Sequence, residues 1–226
     1  MSASRTRPDV VAFDVNETLL DLAPVAATLV ELGQPAGLLP TAFSRTLATG
    51  FAATLTGTWC SFREAFDTAL AQLTPLSAAQ RSTVADAFGE LAPHPDVEPA
   101  LRRLAAAGVR AVTLTHGSPG VAEAGLSRGG VTPLVERCLS SQDIRAWKPG
   151  REPYLWAAGV CDVAPAAMAL VAVHAWDVHG AQRAGLTGGW AARAERVHAT
   201  VFDPPSVQGA GLVEVVDALL ALPPAG

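Results

Sequence analysis

An acid closes an apolar run near the start of the chain. Val10, Val11, Ala12 and Phe13 lead into Asp14, with Thr18 four residues further on. Such a run reads as a buried strand. A carboxylate at the carboxyl end of a strand, beside the N–H groups of the following turn, can act as a nucleophile; a helix cap or a surface-loop acid is the plainer alternative. Thr18 is spaced to hydrogen-bond that acid and fix its rotamer, and it can also be a helix-start threonine. Lys148 is the single lysine among 16 Lys and Arg residues. Where arginine serves every generic positive charge, the one lysine points to chemistry that needs a compact ammonium with three rotatable donors, unless it is a chance survivor. His116 and His174 each fall at the end of an apolar stretch, "VRAVTLTH" and "AMALVAVHA". Imidazoles so placed can assist water activation or, when charged, stabilise an anion.

These residues need elements to carry them. Strands are predicted at 10–15, 109–116, about 137–141, 167–175 and, more weakly, 187–192. Their near-continuous apolar character indicates strands covered on both faces, as in parallel sheets. Helices fill the gaps. In "HPDVEPALRRLAAAG" the residues Val97, Ala100, Leu101, Leu104 and Ala105 recur at helical spacing before Gly108. "SPGVAEAGLSRGG" opens with Ser118 as N-cap and Pro119 at the first helical position, and "EPYLWAAG" and "GLVEVVDALLAL" complete the set. The alternation predicts a doubly wound α/β core.

One interval breaks the pattern. Between the first two strands lie four helical stretches where a crossover needs one. The predicted division is an α/β core of residues 1–20 and 94–226 with a helical cap of residues 21–93. An insertion at that point sits above the carboxyl ends of the strands, where open α/β sheets bind ligands.

Composition narrows the partners. A chain of 226 residues, half of them hydrophobic, builds a sizeable core, and a formal charge of −5 gives no basic face for nucleic acid or an acidic membrane. No apolar run approaches the ~20 residues that span a bilayer, and "MSASRTRPDV" lacks the apolar segment of a signal peptide. Cys60, Cys138 and Cys161 are odd in number and lack metal-type spacing, so idle thiols in a reducing compartment are expected. The expectation is a cytoplasmic protein.

"FDVNETLLDL", "LTHGSPG", "WKPGREPY" and "HAWDVHGAQRAGL" resemble, in order, the four motifs of the haloacid dehalogenase superfamily. More narrowly, the chain resembles the type II (S)-2-haloacid dehalogenases over nearly its whole length. The resemblance implies a doubly wound core with an inserted helical cap, Asp14 as nucleophile, and catalytic roles for Thr18, Lys148 and Asp177; His174 joins them as a catalytic candidate on its own chemistry and its place at a strand end. It places Val15, Asn16, Arg45, Thr115, His116 and Tyr154 around the substrate and halide. Arg45 matches the arginine that grips departing halide and substrate carboxylate; by its own helical spacing it points away from the stripe of Phe43, Leu47 and Phe51, as a solvated arginine would.

The implied substrate is a small 2-haloacid, with no cofactor and no metal; a homodimer stays open. Phosphatases of the superfamily carry a second aspartate where this chain has Asn16 and a magnesium-binding aspartate where it has Val173. Both losses disfavour a phosphatase, since Mg²⁺ demands hard oxygen ligands. His116, Ala172 and His174 depart from the usual Asn, Ser and Asn of the dehalogenases. A related hydrolase acting on another activated small acid or a phosphate ester, or a binding protein that kept the fold, are the alternative readings.

Overall fold

The computed structural model describes residues 5–224. Residues 1–4 and 225–226 of the expected core segment lie outside the described residues.

The first strand, β1 (Val10–Phe13), is buried at every position. Its side chains alternate between two cores: Val11 and Phe13 join one apolar cluster, Val10 and Ala12 the other. That two-sided burial is why the strand reads as a continuous apolar run. Beside β1 lie β4 (Arg110–Thr115) and β6 (Met168–Ala172), both parallel to it. With β5 (Arg137–Ser140), β7 (Thr187–Ala191) and β8 (Val207–Gly209) they form one parallel sheet in the order β5-β4-β1-β6-β7-β8. Helices α5 (Val97–Ala106), α6 (Pro119–Arg128) and α9 (Leu212–Leu220) supply the cluster on one face. Helices α7 (Arg151–Val160) and α8 (Ala175–Ala184) supply the other. The strand order reverses at β1, so the crevice for a ligand opens at its carboxyl end, where Asp14 stands.

The chain leaves the core through β2 (Leu20–Asp21) and returns through β3 (Ala92–Pro93). These two-residue strands pair antiparallel, Leu20 with Pro93 and Asp21 with Ala92, and hold both ends of the insertion together. Between them run α1 (Ala23–Glu31), α2 (Leu38–Leu55), α3 (Phe62–Leu73) and α4 (Ala78–Asp86). Ser61 and Ser77 begin α3 and α4 with reciprocal capping boxes through Glu64 and Gln80. Phe62, Phe66 and Phe88 pack ring against ring inside this layer, 5.2–6.0 Å between centroids.

Two glycines permit the close approaches that fix the site. A Cβ on Gly50 of α2 would lie 2.2 Å from the Trp147 ring, so the cap helix rests directly on the residue before Lys148. A Cβ on Gly180 of α8 would lie 2.5 Å from Pro149 and 2.7 Å from the Tyr154 hydroxyl. Helix α6 starts as expected, with Ser118 capping Gly120 N–H and Pro119 first. The fourth expected strand is shorter than the apolar run that signalled it. β6 stops at Ala172 because His174 is already the N-cap of α8. β8 and the β2–β3 ribbon carry no apolar run of their own and were not expected from sequence.

Candidate active site

Asp14 leaves β1 with its N–H bonded to Val171 O at 3.0 Å, which ties the acid to the neighbouring strand. Its carboxylate is held from three sides. Lys148 Nζ donates to Oδ1 at 2.9 Å, and Thr18 Oγ1 donates to Oδ2 at 2.8 Å. His174 Nδ1 stands 3.3 Å from Oδ2, an ion-pair approach without hydrogen-bond alignment. Thr18 Oγ1 in turn accepts from Val173 N–H at 3.2 Å, so its hydroxyl proton has one direction left, towards the acid.

Lys148 is wholly buried and has three acceptors for its three protons: Asp14, Leu114 O at 2.9 Å and Asp177 Oδ2 at 2.6 Å. A guanidinium has no such arrangement of donors. Asp177, also wholly buried, takes the Tyr154 hydroxyl on Oδ1 at 2.7 Å. Its two oxygens are therefore both engaged by neighbouring side chains. His116 accepts the Lys148 backbone N–H on Nε2 at 2.9 Å, which makes the ring a neutral acceptor and a holder of the lysine loop.

The charges follow from these contacts. Burial opposes ionisation of Asp14, but the Lys148 and His174 cations outweigh it and hold the carboxyl well below the usual range. Burial works to lower the Lys148 pKa, and the Asp14 and Asp177 carboxylates raise it instead. Burial, with Lys148 beside it, keeps His116 well below the ordinary imidazole value. His174 goes the other way: against the effect of burial, Asp14 and Glu17 push it up to about 10. Burial also pushes Asp177 up, with the Lys148 ammonium opposing.

Aromatic rings enclose this polar centre. The Trp176 ring lies 5.5 Å from His174, 5.9 Å from His116 and 5.3 Å from Phe51. Phe43 of α2 stacks on His174 from the cap side at 6.1 Å. Among the described residues, openings flank this centre on two sides. One of about 540 Å³ is lined by Asn16, Gly117 and Ser118 below and Phe62, Phe66 and Phe88 above. The other, about 430 Å³, is lined by Glu17, Phe43, Phe51, His174 and Trp176.

Asp14, Thr18, Lys148, Asp177, Tyr154, His174 and His116 are thus brought together from segments far apart in sequence. Asn16 is buried at the edge of the larger opening. Thr115 closes its own turn, accepting Gly117 N–H on Oγ1 at 3.1 Å. Val15 belongs to the hydrophobic core, and its carbonyl accepts from Leu19 and Leu20 N–H. Arg45 is not brought to the site. It is exposed on the outer side of α2, donates to Gln72 of α3 at 3.2 Å, and lines a surface hollow with Pro40 and Thr41. The physical reason is the one its spacing carried: Ala42, Phe43, Thr46, Leu47 and Gly50 form the buried face of α2, and Arg45 lies off it.

Two further residues matter that sequence reasoning missed. Glu17 sits in the left-handed region at φ 64° and bonds His174 Nε2 through Oε2 at 2.9 Å. Arg193, after β7, donates to Thr18 O at 2.7 Å and Glu17 O at 3.3 Å while paired with Asp96, which clamps the turn holding Glu17. The one sequence signal for Glu17 is its place between Asn16 and Thr18; nothing local marks Arg193.

A divalent cation does not fit between the acids. Val173, fully buried, offers no oxygen side chain, and the Lys148 ammonium already bridges Asp14 and Asp177.

A nucleophile-type acid after the central strand, a lysine loop, a second acid on the helix after β6 and a helical insertion define a haloacid dehalogenase-like hydrolase. The model of that family matches residues 8–185, and the chain belongs to it. Within the family the chain is 30% identical over 217 residues to (S)-2-haloacid dehalogenase 1 of Pseudomonas sp. strain CBS-3, covering 93% of this chain and 96% of that one. It is 28% identical to the (S)-2-haloacid dehalogenase of Pseudomonas sp. strain YL, with 92% of each chain covered. The fold is shared with the L-2-haloacid dehalogenase of Xanthobacter autotrophicus: TM-score 0.85 at 22% identity, over 95% of this chain and 99% of that one.

Proposed function

We propose that this protein hydrolyses the carbon–halogen bond of a small 2-haloacid through an ester on Asp14, without a metal. The observation that supports this best is the state of Asp14. It is ionised at the end of β1, beside Lys148, and Asn16 stands where a phosphatase of this superfamily would need an acid. A carboxylate of that kind attacks a saturated carbon directly. The names of the Pseudomonas relatives point to the same substrate class.

In the first step an Asp14 oxygen forms a bond to C2 and the carbon–halogen bond breaks, its electron pair leaving with halide. Lys148 and Thr18 fix the carboxylate so that one attack direction is presented. Lys148 also supplies the positive charge that keeps Asp14 ionised at neutral pH. In the second step water attacks the ester carbonyl, and the alkyl oxygen leaves as the hydroxy acid. The Lys148 ammonium, already on Asp14, stabilises the oxyanion that forms there. Asp177 and Tyr154 hold the lysine in place.

The experiment is a single turnover in ¹⁸O-water with bromoacetate or 2-chloropropionate. Label is expected on Asp14 and not initially in the product, with halide released in the first step. Label entering the product directly would overturn the ester. Hydrolysis of p-nitrophenyl phosphate with magnesium, in the absence of halide release, would replace the dehalogenase reading with a phosphatase.

A further inference from the structure

His174 stands between two carboxylates, and the arrangement asks what happens when one of them disappears. Nδ1 faces Asp14 Oδ2 at 3.3 Å and has no aligned hydrogen-bond partner, although the side chain is nine-tenths buried. Nε2 is bonded to Glu17 at 2.9 Å. The ring also lines the smaller opening, whose lining does not include Lys148.

We propose that His174 is the base that takes the proton of the hydrolytic water, and that Glu17 is the positioning residue that keeps its Nδ1 free for that task. This rests on the aspartyl-ester reading. While Asp14 is a carboxylate, the imidazole carries two protons, one towards each acid. Alkylation of Asp14 removes that carboxylate's charge, and the proton on Nδ1 loses its partner and leaves to solvent. Glu17 retains the proton on Nε2, so the neutral ring has its lone pair on Nδ1, facing the ester. Water then adds to the carbonyl carbon and gives one proton to Nδ1. When the acyl–oxygen bond breaks, that proton passes to the departing alkoxide. The remaining proton, on the new Asp14 carboxyl, returns to His174. One water is consumed, and one proton and one halide are released per cycle.

Other candidates are less well placed. Asp177 has both oxygens engaged and no exposed surface. His116 is committed through Nε2 to the Lys148 backbone. The groups around His174 are Asp14 and Glu17 from the turn after β1, Lys148 and His116 across the Trp176 ring, and Glu195, which accepts Ala175 N–H. From the cap it meets Phe43, an uncharged wall. Glu17 keeps its left-handed backbone because Arg193 holds the carbonyls of Glu17 and Thr18, so its carboxylate has a fixed aim.

The test follows the ester by mass spectrometry of the Asp14 peptide after rapid mixing with bromoacetate. Wild type should release halide and show a transient adduct. His174→Asn should still release about one equivalent of halide in a burst, then hydrolyse the adduct roughly 10²-fold more slowly or worse. Glu17→Gln should slow the same step, move the acid limb of ester hydrolysis to lower pH, and be partly rescued in Glu17→Asp. Glu17→Gln also stands in if His174→Asn does not fold. Adduct hydrolysis at the wild-type rate in the variants overturns the proposal, as does a loss confined to the halide burst. A folded wild type that forms no adduct and releases no halide overturns the dehalogenase reading itself, and that result is distinct from the other two.

Discussion

The Lys148 ammonium donates to Asp14 Oδ1 at 2.9 Å, joining residues 134 apart in the chain with almost no solvent between them. The contact is worth more than its length indicates, because it fixes the charge of the reacting group. A buried carboxylate alone would take up a proton; beside this cation it does not.

The identity of that cation should therefore matter. In Lys148→Arg the charge is kept, but a planar, longer guanidinium cannot meet Asp14, Asp177 and Leu114 O from one point. A drop of roughly 10²-fold or more in kcat is expected from the misplaced acid, with KM changed less. In Lys148→Met the Asp14 pKa should rise, and the acid limb of the pH–rate profile should move to higher pH. Steady-state kinetics across pH checks both, and near-normal kcat in Lys148→Arg would refute the role.

Metal removal gives a second expectation. With Lys148 bridging the two acids and Val173 in place of a ligand, halide release should survive EDTA and gain nothing from added Mg²⁺. A strict magnesium requirement would mean that the lysine leaves its place in the working enzyme.

Arg45 supplies a test in which nothing should happen. It is exposed and bonded to Gln72 on the outer face of the cap. Arg45→Ala should leave kcat/KM within about twofold of wild type, as for a surface side chain away from the chemistry. A large loss would show that α2 turns this face to the substrate during turnover.

Stability should depend on pH through His174. Its folded pKa is raised to about 10 from an ordinary 6.5, because Asp14 and Glu17 overcome the effect of burial. A group raised on folding contributes stability that is fully present below the unfolded value and is lost as pH rises through the folded one. The Tm advantage of wild type over His174→Asn should therefore be largest near pH 6 and shrink towards pH 10. Thermal melts of both proteins at several pH values check it; a gap that widens with pH would show that the imidazole is buried neutral.

Sequence alone carried what is encoded locally. Asp14 and Thr18 stand out at the end of an apolar run and Lys148 as the one lysine of the chain, and a parallel strand covered on both faces announces itself by its unbroken apolar run. The family motifs added Tyr154 and Asp177 and the order in which those ends meet. Tertiary structure decided the rest. Spacing along α2 already set Arg45 off the stripe of Phe43, Leu47 and Phe51, but that Phe43 meets His174 and Gly50 meets Trp147 depends on how the helix seats on the core. Glu17 and His174 meet across 157 residues, and the Arg193 clamp on Glu17 comes from 176 residues away. Neither pairing leaves a mark in the windows around those residues, because a side-chain contact between distant loops is a property of how the sheet is wound and not of the segments it joins.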